Sequence, residues 1–126
     1  MYKLLLTGFG GAIGALARYG VGLFLPSSGT VFPYSTLFIN GIGSFALVCL
    51  TYSVLKDGKN ERAKLFFGTG LCGGFTTMST FALEVTNLAV NQPTLGLIYL
   101  LLTLIIGIFM AWLGYIAVSS LGRRAS

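Results

Sequence analysis

The apolar positions of this chain fall into four long runs, separated only by short polar stretches. The first run extends from about Leu4 to Leu25 and stops at Pro26-Ser27-Ser28-Gly29. The second extends from about Val31 to Leu55 and is closed by Lys56-Asp57-Gly58-Lys59-Asn60-Glu61-Arg62, the one strongly charged segment, which reads as a solvated loop. The third covers about Leu65 to Val90 and the fourth about Leu95 to Leu121, with the polar turn Asn91-Gln92-Pro93 and its helix breaker between them. Each run reaches the ~20 residues that cross a bilayer core as a helix. The pattern predicts an all-α membrane protein of four transmembrane helices, one domain over residues 1–126, without tandem repeats. Short links make successive helices antiparallel neighbours, so both termini and the charged loop share one side of an up-and-down bundle.

Composition narrows the picture. Hydrophobic residues make up 55% of the chain and charged residues 9%, whereas a soluble domain carries about a quarter charged residues. The solvent for most of this surface is a lipid bilayer. The net charge of +5 comes from bases that flank the spans. Anionic headgroups, not nucleic acid, are their expected partners, and their placement sets orientation. Lys3 precedes an apolar stretch as in a signal peptide, yet that stretch continues past Arg18 without a clear cleavage site and reads as a retained first span. Cys49 and Cys72 each sit in an apolar run without metal-ligand spacing and read as small packing residues.

Eighteen glycines need a reason beyond chance, because each costs about 1 kcal/mol relative to alanine inside a helix. Gly10 and Gly14, and again Gly70 and Gly74, have the small-xxx-small spacing that lets helix backbones approach closely in a membrane. Gly8-Phe9-Gly10-Gly11 has the look of a dinucleotide loop, but Ile13 stands where the third glycine belongs.

The informative segment is Gly73-Gly74-Phe75-Thr76-Thr77-Met78-Ser79-Thr80-Phe81, which places two glycines and four hydroxyl residues at the centre of the third span. Paired glycines weaken a helix and hydroxyls bond to the backbone groups released, so the third helix is expected to break mid-membrane. Two readings of the break stand: a kink satisfied by its own threonines, or unwound backbone lining a polar cavity, where freed carbonyls coordinate a cation. Asn40, inside the second span, either donates its amide to an anion or binds a neighbouring helix. Arg18 and Glu84 are the only charges well inside spans. Such charges are functional hypotheses by default, with snorkelling or an ion pair as the structural alternatives for each. On the fourth span Tyr99, Thr103 and Gly107 share a helix face, either a polar track or, for Tyr99, a membrane-interface anchor.

With these features in place, the chain resembles the Fluc, or CrcB, family of fluoride channels over nearly its whole length. The matching stretches are Gly10-Gly11-Ala12-Ile13-Gly14 leading to Arg18-Tyr19, Thr36-Leu37-Phe38-Ile39-Asn40, and Gly70-Leu71-Cys72-Gly73-Gly74-Phe75-Thr76-Thr77-Met78-Ser79-Thr80-Phe81. The resemblance implies an antiparallel dimer of four-span subunits, with a structural sodium ion at its centre and fluoride pathways along the subunit interface. Carried over by motif, the carbonyls of Gly73 and Thr76 correspond to the sodium ligands and Asn40 to the pore-lining amide. The family's two pore phenylalanines map onto Met78 and Phe81, so a methionine replaces the first. Ser79 and Thr80 match its hydroxyl donors, and Tyr99 and Thr103 resemble its polar track. An aromatic ring edge offers an anion partial positive charge, whereas a thioether offers softer, less directed polarisation.

The expected activity is passive, fluoride-selective export from the cytoplasm, since no nucleotide motif and no obvious set of titratable groups for a pump cycle is present. The alternative is a small multidrug-resistance-type, proton-coupled exporter. That mechanism needs a carboxylate in the first span, where this chain has Arg18 and no acid. For an intramembrane enzyme using Ser79 and Glu84 the usual triad cannot be assembled without a histidine, and a lysine-assisted variant is poorly supported because the lysines lie at span ends. Lys3, Lys56, Lys59, Arg62, Lys64, Arg123 and Arg124 all fall on the side shared by the termini, which predicts a fixed orientation in the cell membrane with both termini cytoplasmic. An antiparallel partner is then the chain itself, inserted the other way, or a homologous subunit of opposite charge bias.

Overall fold

The computed structural model describes residues 1–25, 32–54 and 60–124, with the backbone alone at 54 and 122–124. The first span is α1 (Tyr2–Phe24) and the second α2 (Tyr34–Val54). Helix α2 starts three residues later than Val31, because the Pro33 carbonyl accepts the first helical bond from Leu37 N–H at 3.3 Å. Val31 itself lies outside the described residues, as do Leu55 to Lys59 of the charged segment.

The third span opens with a helical turn, α3 (Glu61–Ala63), continues as a wider π-type helix over Lys64–Cys72, and tightens again in α4 (Gly73–Phe75). Glu61 and Arg62 therefore belong to the helix and not to the loop expected for them. Asn60 starts it by accepting the Ala63 N–H on its side chain at 3.2 Å, which satisfies one of the orphan donors of the first turn. Beyond α4, Thr76 and Thr77 are extended, with ψ of 157° and 114°. The chain then resumes as α5 (Met78–Asn91). The expected break is thus present, and among the described residues it leaves α1, α2 and the last helix as the three long and apolar enough to cross a membrane uninterrupted.

The last helix, α6 (Pro93–Arg124), begins at the residue expected to end helical structure. Proline suits the first helical position, where its missing N–H has no partner to lose. Gln92 alone separates the two helices: its N–H closes α5 on Leu88 at 2.7 Å and its carbonyl opens α6 to Gly96 at 3.0 Å.

Glycine contacts fix the directions of the helices. A side chain on Gly10 would strike the Phe66 carbonyl, one on Gly14 the Leu71 carbonyl, and one on Gly74 the Gly11 carbonyl. Close backbone approach is the packing reason expected of the small-residue spacing, and its rising register makes α1 parallel to the first half of the third span. Lys3 extends that register, bonding Glu61 at 2.7 Å. Likewise Gly41 meets Ile106 and Met110, Gly114 meets Phe45 and Val48, and the Tyr52 and Tyr115 rings lie 5.0 Å apart, so α2 runs parallel to α6. With the α5–α6 turn antiparallel, the spans go up, down, up and down, and both ends of the chain share one side. Leu16, Leu23, Ile105 and Ile108 are among many large apolar side chains left exposed. The buried cluster is small, centred on Phe81, Leu88 and Tyr99, as befits a chain whose outer solvent is lipid.

Candidate functional site

The break in the third span is held by a residue of the second. Asn40 donates from Nδ2 to the Thr77 carbonyl at 3.0 Å and accepts the Thr77 N–H on Oδ1 at 2.9 Å. One carboxamide thus serves both main-chain groups of the extended residue, a structural role beside any donor role. Asn40 is itself steadied by α2, where Ser44 Oγ donates to its carbonyl at 2.8 Å.

Those bonds rearrange the neighbouring carbonyls. Thr77 N–H, which would close a helical bond to Gly73, is taken by Asn40. Thr80 N–H, which would serve Thr76, goes instead to Thr77 Oγ1 at 3.2 Å and caps the start of α5. The carbonyls of Gly73 and Thr76 are therefore both deprived of their helical donors. Gly73 and Thr76 line a cleft of about 380 Å³ together with Asn40, Ser44, Thr69 and Met78, with no acid or base in its described lining. Among the described residues no group of three or more His, Cys, Asp or Glu side chains converges to hold a metal. Neutral main-chain oxygens at an unwound helix suit a hard monovalent cation, so the residues present fit sodium and not a transition metal. One positive group reaches the Thr76 carbonyl itself: Arg18 Nη1, coming across from α1, donates to it at 3.4 Å.

A second polar cluster lies on the other side of Asn40. Glu84 accepts from Thr36 Oγ1 on Oε1 at 2.9 Å and from the Tyr99 hydroxyl on Oε2 at 2.7 Å. Tyr99 is fully buried, edge-on to Phe32 at 5.5 Å and tilted against Phe81 at 5.5 Å, so the interface-anchor reading of Tyr99 is corrected. Thr103 donates to the Tyr99 carbonyl at 2.8 Å and continues the polar stripe of α6. Arg18 and Glu84 do not form an ion pair. Among the described residues the one salt bridge is Lys3–Glu61.

The residues singled out from sequence therefore gather into two groups joined through α2 and α5. Arg18, Asn40, Gly73, Thr76, Met78, Ser79 and Thr80 surround the break, and buried Phe81 and Tyr99 with half-buried Glu84 and Thr103 form the second group. Met78 and Phe81 part company, for Met78 is 74% exposed and Phe81 is 7% exposed. Three contributors were not singled out for a role: Thr36, Ser44 and Thr77. The spacing of Thr36, Asn40 and Ser44, each four residues apart on α2, is the signal that marks a polar stripe. Cys49 meets Gly114 across α2 and α6, and Cys72 is buried, both as packing residues.

Residues 5–115 match the family described as CrcB-like protein, Camphor Resistance (CrcB). A relative from Thermus thermophilus named "Fluoride-specific ion channel FluC" is 42% identical over 118 residues, covering 91% of this chain and 94% of its own. One from Bacillus subtilis named "Fluoride-specific ion channel FluC 2" is 43% identical over 115 residues, covering 91% and 83%. A Thermotoga maritima relative with the first of these names is 40% identical over 117 residues, covering 89% and 91%. With four spans, a third helix interrupted at its centre and this degree of identity along its length, the chain belongs to the CrcB-like family of multi-pass membrane proteins.

Proposed function

We infer that this chain is a subunit of a passive, fluoride-selective ion channel that lets fluoride leave the cytoplasm. The observation that carries the reading is the Asn40–Thr77 clasp at the break, together with relatives named as fluoride-specific channels. Fluoride is small and strongly hydrated, so a selective path must replace water with close donors. Asn40 spends one amide hydrogen on Thr77 and has a second to offer. Ser79 and Thr80, exposed on the first turn of α5, add hydroxyls at the positive end of a half-helix. Phe81, Tyr99 and Thr103 extend the track beyond them.

The finer parts of the reading are proposals. Gly73 and Thr76 hold a structural sodium ion through their carbonyls, and such an ion would supply a positive charge that ties the break together. Two subunits assemble antiparallel, either two copies of this chain or this chain with a homologue inserted the other way, and both termini of this chain lie in the cytoplasm. Purified protein reconstituted into liposomes tests the central reading. Fluoride release should be fast and chloride release at background, with release reduced when sodium is absent during purification and assay. Equal flux of the two anions overturns fluoride selectivity.

A further inference from the structure

We propose that Arg18 opposes cation binding at the helix break: the guanidinium held on the Thr76 carbonyl weakens sodium binding there and so sets the sodium concentration at which the site fills. The inference rests on the sodium reading above and adds to it the residue that tunes the site. Arg18 comes from α1, 58 positions away in the chain, and its Nη1 lies 3.4 Å from the Thr76 oxygen. That oxygen is one of the two carbonyls deprived of a helical donor, and it has two lone pairs, so a guanidinium and a cation can share it. Sharing places two positive charges a few ångströms apart in a half-buried site, where like charges interact far more strongly than in water.

Among the described residues no acid neutralises Arg18: it makes no ion pair, no acid lines the cleft, and Glu84, the one acid inside the spans, is engaged by Thr36 and Tyr99. The residue type fits a fixed charge at this depth, since a guanidinium stays charged and is more weakly hydrated than an ammonium. The same charge that penalises a cation attracts an anion. Its opposition to sodium is thus a consequence of placing a positive field beside the start of α5, where Met78 and Ser79 are exposed.

A positioning role predicts the opposite sign. If Arg18 chiefly orients the Thr76 carbonyl for the ion, removing it weakens sodium binding. The experiment titrates sodium against potassium at fixed ionic strength, using purified full-length wild-type protein, Arg18→Gln and Arg18→Lys, and reads the thermal unfolding midpoint. Half-saturating sodium should fall on the order of tenfold in Arg18→Gln, where a like charge at short range is gone. It should fall about two- to threefold in Arg18→Lys, whose shorter, compact charge is drawn back from the carbonyl. A merely structural role lowers the midpoint equally at every sodium concentration and leaves half-saturation unchanged, which overturns the proposal, as does a rise in half-saturating sodium. If Arg18→Gln does not fold, a value at or above wild type in Arg18→Lys overturns it alone. A wild-type protein indifferent to sodium overturns the sodium reading and this inference together, whereas a responsive wild type with unresponsive variants overturns only this inference.

Discussion

Asn40 is the residue on which structure and conduction meet, and its two roles can be separated. Replacement by leucine leaves both main-chain groups of Thr77 without their partner, at about 1–3 kcal/mol for each buried group left unpaired. Asn40→Leu should therefore lose fluoride flux and also melt at a lower temperature. Asn40→Asp keeps an acceptor for the Thr77 N–H and loses less stability, yet it sets a negative charge beside the anion path. Its flux at neutral pH should fall at least about tenfold, the effect of an intramembrane like charge. Flux should then recover as pH falls, because the protonated carboxyl is neutral and again offers a donor. Liposome flux measured across pH beside thermal melts checks both, and an Asp variant that conducts like wild type at neutral pH removes Asn40 from the pathway. Asn40 was legible in sequence as a lone amide in an apolar span. Its clasp on Thr77 was not, since the two lie 37 positions apart. The choice between the two readings of Tyr99 was not legible for a related reason: aromatic residues favour membrane interfaces in general, while its burial depends on Glu84 and Phe32 arriving from other helices.

At the scale of elements, the break in the third span was legible because its cause is local: paired glycines and a run of hydroxyls weaken a helix wherever they stand. The π-type winding over Lys64–Cys72 was not, because that stretch meets α1 through backbone at Gly70, where an added Cβ would lie 2.7 Å from the Thr7 carbonyl. The same contact makes a prediction about α1. Gly14→Val would drive a branched side chain into the Leu71 carbonyl and the Phe75 N–H, and overpacking of this kind costs about 1–3 kcal/mol. Gly20→Ala, with nothing within 4 Å of the new Cβ, should be neutral or stabilising by up to about 1 kcal/mol. Thermal melts in detergent compare the pair, and equal behaviour would mean that α1 does not mate with the third span through these glycines. Met78 makes a second prediction, as the first residue of α5 and 74% exposed. Met78→Phe restores a ring edge of the kind worth about 0.5–1.5 kcal/mol in aromatic contacts, so fluoride flux should rise by about two- to tenfold with chloride still excluded. Unchanged or lower flux would place the side chain off the pathway.

For the whole molecule, the decisive feature is where the bases stand. The up-and-down order puts Lys3, Arg62 and Lys64 at one end of the bundle with the close of α6, and Lys3 and Glu61 are bonded there. The sequence adds Lys56, Lys59, Arg123 and Arg124 to that side. Lys56 and Lys59 lie outside the described residues, and their side is an expectation from the sequence order alone. The opposite connections, residues 25–33 and 91–93, carry no charged residue. Seven bases against none is a strong bias, and because basic loops are retained in the cytoplasm, the chain should insert one way, with both termini inside. The up-and-down order of the spans was legible before any contact was known, whereas the side on which the termini lie rests on the charge bias alone. If the working channel is antiparallel, a uniformly oriented chain cannot supply both subunits, and a homologue with its bases on the opposite connections must complete it. Tags on both termini, probed with a membrane-impermeant label in cells expressing this chain alone, test the point. Labelling should appear only after the membrane is permeabilised, and these cells should export fluoride poorly until the oppositely biased homologue is supplied. Comparable labelling on both faces, with full fluoride efflux from this chain alone, would show that it inserts both ways and pairs with itself.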